Sequence, residues 1–143
     1  MKGLNTLILS GKEALPLIEG GKGISISNGE SSGAWAKSGG VGTFSGVNAD
    51  SYDKDGALIQ QTYYGKTRSE RHKELIKFAV SGAITQARQS RDIAGNSGVV
   101  HMNILWEMAA AEEILTQTLE KASEIIDGVT CGAGMPYKLS EIC

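Results

Sequence analysis

Three glycine clusters and one asparagine in an apolar setting are the residues of this chain that could do chemistry. Gly20, Gly21 and Gly23 stand in GGKG, Gly39, Gly40 and Gly42 in GGVG, and Gly132 and Gly134 in CGAG, each within or beside a run that reads as a strand. Glycine weakens a strand, so its repeated use there points to a backbone that something approaches closely, or to positive φ. One such cluster would be explained by turns; three at equivalent positions favour a ligand. Asn103 sits inside HMNILW. Its amide can donate and accept at once, and burying it is costly unless both ends are satisfied, which leaves ligand contact or structural capping as its roles. His101 lies two positions earlier on the same face of a regular strand and reads either as a base or as a structural histidine. His72 belongs to a charged stretch and is expected in solvent. As a nucleophile, Cys131 would need a neighbouring base or positive charge to lower its pKa, and none is adjacent in the sequence.

These residues must be carried by alternating strands and helices. Leu15 to Ser27, Gly40 to Ser45, Val99 to Trp106 and Gly128 to Cys131 read as extended runs, the later two rich in β-branched residues. Gly29 to Ser38 is long enough for a short helix. Thr67 and Glu70 have the spacing of a capping box, in which the hydroxyl and the carboxylate each satisfy a free amide at a helix start. Beyond them Ile76, Ala79, Val80, Ala83, Ile84 and Ala87 recur along one helical face, with Arg68, Arg71, Lys73, Glu74 and Lys77 largely on the solvated side. A third helix over about Ala109 to Ile125 would bury Ile114, Leu115, Thr118, Ala122 and Ile125 or Ile126. The pattern βαβαβαβ implies parallel pairing, since a helix both crosses back over the sheet and covers it. Ligands of such sheets sit at the carboxyl ends of the strands. A dinucleotide fingerprint is a poor match: Gly21, Gly23 and Ile26 break its spacing, and no acid follows the second strand until Asp50.

Composition narrows the classes. With 41% hydrophobic residues and a formal charge of −2, the chain reads as an ordinary folded domain. Lys and Arg are interspersed with acids and the sequence pI is near 5.7, so no nucleic acid is expected as a partner. The opening Gly3 to Ser10 is shorter and more polar than the core of a signal peptide, and no apolar run reaches the roughly 20 residues of a bilayer span. No membrane partner and a cytoplasmic location are the expectation. Cys131 and Cys143 suggest neither a disulfide framework nor a metal site, and read as free buried thiols.

The stretches "LPLIEGGKGISISNGESSGAWAKSGGVGTFSG", "HMNILWEM" and "GVTCGAGMPYKLSEI" resemble the nitronate monooxygenase (2-nitropropane dioxygenase-like) family of flavin enzymes. That family combines a P-x-I-x-G-G-M-G-like opening strand, a short helix, a G-G-x-G-T strand, a later G-V-N-x strand and a G-x-G-x-P turn. The likeness covers nearly all of the chain except the insert-like Val47 to Gly65. It implies an α/β fold made of the first four β/α units of a TIM (β/α)8 barrel, with one parallel sheet in the order 1-2-3-4 over Leu17–Ile26, Val41–Ser45, His101–Leu105 and Val129–Cys131. FMN would lie at the carboxyl ends of the strands. Gly20, Gly21, Lys22 and Gly23 match the flavin-facing loop, Asn103 the strand asparagine, and Cys131 to Pro136, with Gly132 and Gly134, the turn bordering flavin and substrate. Where the family commonly has Met, this chain has Lys22, which either stabilises the reduced anionic ring or points to solvent. The implied substrate is a small molecule, an alkyl nitronate oxidised with O2 or, as in related flavin-dependent enoyl reductases, an enoyl thioester.

A complete barrel of this kind needs about 250 residues. Residues 1–143 are therefore expected to be the N-terminal half of one barrel, truncated, with the catalytic base beyond Cys143 and the catalytic residues unknown. Such a half would leave Ile24, Phe44, Ile104 and Val129 uncovered. A second class of function follows: a non-catalytic half-barrel that works by assembly with a partner chain or by self-association through its open sheet edges.

Overall fold

A computed structural model describes residues 4–23, 26–53 and 55–143. The chain opens with an antiparallel pair, β1 (Leu7–Leu9) and β2 (Lys12–Ala14), joined by Ser10 and Gly11. Both turn residues have positive φ, 49° and 75°, the two-residue geometry whose twist matches that of the strands it joins. Helix α1 (Gly29–Lys37) starts at Asn28, whose side chain accepts from the Ser31 amide at 2.9 Å. Strand β3 (Val41–Ser45) follows, then the long α2 (Arg68–Ala94), β4 (Val99–Leu105), α3 (Ala111–Ala122) with a 3₁₀ turn over Ser123–Ile125, β5 (Gly128–Gly132) and the short α4 (Leu139–Ile142). The capping box at Thr67 and Glu70 is formed in both directions.

The parallel sheet has three strands in the order β3-β4-β5, and β1-β2 forms a separate two-stranded sheet. This overturns the expected four β/α units of a TIM barrel. The expected first strand, Leu17–Ile26, is not one: Ile18 makes a single parallel bridge to Val41. The chain does run beside β3 for a few residues, with Leu15 N donating to Gly39 O, Val41 N to Leu17 O and Glu19 N to Val41 O, and then leaves it. Pro16 offers no amide, and Gly20, Gly21 and Gly23 follow within seven residues. A ladder of regular strand bonds cannot propagate through that composition. Ile24 lies outside the described residues.

Side chains alternate across the sheet as the pleat requires. Phe44, Val100, Met102 and Ile104 point to one face and form the main core with Ile76, Ala79, Val80, Ala83 and Ala87 of α2 and Ile114 and Leu115 of α3. Phe44 and Ile104, expected to be uncovered, are 0% exposed, and Val129 packs half-buried against the same core. Their strands turn these residues toward the helices, so closure by further strands is not what buries them. The face predicted for α3 is the observed one, with Ile126 buried and Ile125 half-buried. Glu74 departs from the expected solvated stripe: its carboxylate accepts from the amides of Tyr64 and Gly65 and ties the preceding loop to α2. Both cysteines are free, but Cys143 is exposed beyond α4, which buries none of its residues, and Cys131 is half-buried on β5 at the end of the sheet order. Among the described residues no helix is long and apolar enough to cross a membrane.

Candidate functional site

The second face of the parallel sheet changes character along its strands. Register places Val41 beside Val99, Thr43 beside His101 and Gly128, and Ser45 beside Asn103 and Thr130. Near the strand starts this face is apolar, with Ala14 of β2 closing over Val41 and Val99. Toward the carboxyl ends it becomes a polar layer, and the loop after Glu19 lies across it.

Asn103 is at the centre of that layer and only 6% exposed. Its Nδ2 donates to Thr130 O at 3.1 Å and its backbone carbonyl accepts from Gly46 N at 2.8 Å. Among the described residues its Oδ1 accepts nothing. Gly21 rests directly on this side chain: a Cβ there would fall 2.5 Å from Oδ1 and collide with the whole amide group. Close approach is thus the reason for glycine at 21. Gly20 has open space where its side chain would be, and Gly23 takes φ +77°, which favours glycine. Among the described residues the amides of Gly20 and Gly21 donate to no acceptor.

The loop is pinned rather than loose. Lys22 N donates to Ser27 Oγ at 2.9 Å, Ser27 Oγ reaches Gly20 O at 3.4 Å, and Ser45 N donates to Ser27 O at 2.6 Å. Glu19 is 4% exposed; one carboxylate oxygen accepts from Thr43 N at 3.1 Å and the other pairs with Lys22 Nζ at 3.2 Å. Thr43 Oγ1, wholly buried beside them, has no partner among the described residues. Such an orphan marks a place where polar capacity is left over.

The other predicted residues fall as follows. Gly132 ends β5 and accepts from Trp106 N at 3.1 Å; Gly134, at φ +96°, backs onto Trp106 and Glu107. Both lie at the same end of the sheet as Asn103, but no hydrogen bond joins them to the 20–23 loop. His101 lies over Gly128 with Nδ1 3.3 Å from Thr130 Oγ1. Burial pushes its pKa down, and the nearby Asp127 opposes this without reversing it. That leaves a neutral imidazole at neutral pH. Cys131, paired with Ile104, is on the helix-facing side and away from the polar layer. His72 is exposed. Surface cavities of about 470 Å³ between α2 and α3 and about 850 Å³ beside Tyr52 and Arg88 include none of the predicted site residues. Gly20, Gly21 and Lys22 are exposed, which makes the site an open shelf.

Sequence reasoning passed over Glu19 and Asp127. The signal for Glu19 was a lone acid in the apolar run LPLIEGG; a charge that survives there needs buried partners. Asp127 was marked only by standing directly before GVTC. Compared with known proteins, the chain matches no family model and no curated protein.

Proposed function

We propose that the chain binds FMN on the shelf formed by Gly20, Gly21, Lys22, Gly23 and Asn103, with Gly132 and Gly134 along its border. The observation that carries this reading is Gly21 seated on a buried Asn103 whose Oδ1 has no partner among the described residues, beside two exposed glycine amides that donate to none of them. Donors and an acceptor arranged along a surface without side chains suit the polar edge of a flat heteroaromatic ring, and a neutral backbone allows the ring to lie close. The residues therefore fit the group: Asn103 and the Gly20 and Gly21 amides would hold its polar edge, and Lys22 would stand next to it. When bound, FMN supplies a two-electron acceptor. The sequence resemblance favours alkyl nitronates oxidised with O2 over enoyl thioesters as substrate. His101, neutral and on the same face of the sheet as Asn103, is a group able to hold a proton. In this reading the protein works in the cytoplasm, in keeping with free thiols.

Equilibrium titration with FMN tests the proposal. Asn103→Ala should weaken binding about fivefold to tenfold, the worth of one hydrogen bond of roughly 1 kcal/mol, while the fold persists. Unchanged affinity would return Asn103 to a structural role. A second reading rests on β5, which among the described residues is partnered only by β4. An unpaired parallel edge invites another strand, and assembly through it would appear as concentration-dependent mass in light scattering.

A further inference from the structure

The pair Glu19 and Lys22 has a role that the flavin reading alone does not assign. Lys22 Nζ is held 3.2 Å from Glu19 Oε1, and the lysine side chain remains 53% exposed. Glu19 itself cannot move far: its amide donates to Val41 O at 2.9 Å, its second oxygen accepts from Thr43 N at 3.1 Å, and it is buried. Lys22 is tied at its own amide to Ser27 Oγ. The ammonium is thus held at Glu19, with its other side open to solvent. A surface lysine with no such partner would disperse over many rotamers and carry little local field.

Resting on the proposal that the shelf binds FMN, we infer that Lys22 is the residue that sets the preference of the site for reduced over oxidised flavin, and that Glu19 positions it and moderates its charge. Two electrons from an external donor and one proton from water convert the neutral oxidised ring into a monoanion. A fixed ammonium beside the ring favours that anion, and the carboxylate behind the ammonium opposes it. The two residues therefore act with opposite sign on one equilibrium. A purely structural ion pair would not behave this way, since losing either member would weaken both redox forms together.

The test is anaerobic FMN titration of the full chain, once with oxidised FMN and once with FMN reduced by excess dithionite, together with the reduction potential of the bound flavin. Lys22→Met should lower the affinity for reduced FMN relative to that for oxidised FMN about tenfold, which for a two-electron couple is a potential lower by about 30 mV. Glu19→Gln keeps an oxygen toward Lys22 and removes the opposing charge, so the ratio and the potential should move the other way. Lys22→Arg should restore the parent ratio. If FMN binds to all variants with one common ratio, the inference fails and the flavin reading stands. If FMN binds to none, the parent included, both fail.

Discussion

The two ends of the parallel sheet are built on opposite principles. At the strand starts, one carboxylate collects every donor in reach: Asp127 pairs with Lys12 Nζ at 2.7 Å and Arg91 at 2.6 Å, and accepts from Val100 N at 2.8 Å. Arg91 uses its remaining N–H groups on the carbonyls of Gly95, Gly98 and Ile125. Every N–H of the Arg91 guanidinium and both carboxylate oxygens of Asp127 are engaged there. At the carboxyl ends, Asn103 Oδ1, Thr43 Oγ1 and two glycine amides are unpaired among the described residues. Satisfied polar groups stabilise, whereas a buried unsatisfied one such as Thr43 Oγ1 costs stability, and the exposed amides of Gly20 and Gly21 are open to water or a ligand. The comparison assigns stability to the first end and, under the FMN proposal, recognition to the second.

The comparison breaks most readily at the clamp. Asp127→Ala leaves Arg91 and Lys12 half-buried without their counter-charge, and loss of one member of such a pair costs on the order of 3 kcal/mol. Urea unfolding should show it as a lower midpoint at unchanged slope. A loss below about 1 kcal/mol would mean that the clamp is ornamental and that stability lies elsewhere in the sheet.

Acid separates the contributions of the two ends by pH. Burial alone would raise the Asp127 pKa, but hydrogen bonds from Lys12, Val100 N and Arg91 outweigh it and hold the carboxyl below its usual 3.8. Its stabilisation is therefore complete above that value and is lost as pH falls through the lowered native pKa. His101, kept neutral by burial, also has a native pKa below its ordinary 6.5. The unfolded chain takes up that proton first, so stability falls as pH drops below about 6.5. Denaturant midpoints at pH 7.5 and 5.5 should differ for the parent and differ less for His101→Gln. An equal drop in both would remove His101 from the account.

The smallest effect on stability is expected at the recognition end. Gly21 has an ordinary φ, and the atoms that an added methyl meets are the tip of the Asn103 side chain. Gly21→Ala should thus change stability by less than about 1 kcal/mol, with the strain partly offset by a less flexible unfolded chain. FMN affinity should nevertheless fall, because Asn103 is pushed aside. A stability loss as large as that of Asp127→Ala would erase the distinction between the ends.

Much of the frame was legible because local rules and packing agreed. The Thr67 and Glu70 spacing specified the start of α2, and the apolar face from Ile76 to Ala87 specified what it covers. Three of the four expected strands are present, in parallel and in the expected sequential order. The fourth failed at Leu17–Ile26, where an apolar composition was read as a ladder although Pro16 and the glycines could not sustain one. The pair β1-β2 went unread because Leu7–Leu9 and Lys12–Ala14 are three residues each, too short for periodicity, and only Ser10-Gly11 marks the turn. At the site, Asn103 and Gly21 could be named separately, but their contact joins positions 82 residues apart and exists only through the fold. Glu19 and Asp127 were hidden for the same reason: a buried charge is intelligible only with its partners, and those come from other elements.

The clamp also bears on the order in which the molecule comes together. Lys12 and Asp127 are 115 positions apart, and Ser10 Oγ donates to Asp127 O across 117. Contacts at such separation close the largest loops and are the slowest to be repaid during folding. The helices and the β3-β4 pairing can be in place before β1-β2 swings onto the strand starts and locks. A bond formed after the rate-limiting step leaves the folding rate alone and governs escape from the native state. The Lys12–Asp127 bond is therefore a kinetic latch: Lys12→Met should shorten the lifetime of the folded chain while hardly changing how fast the chain folds.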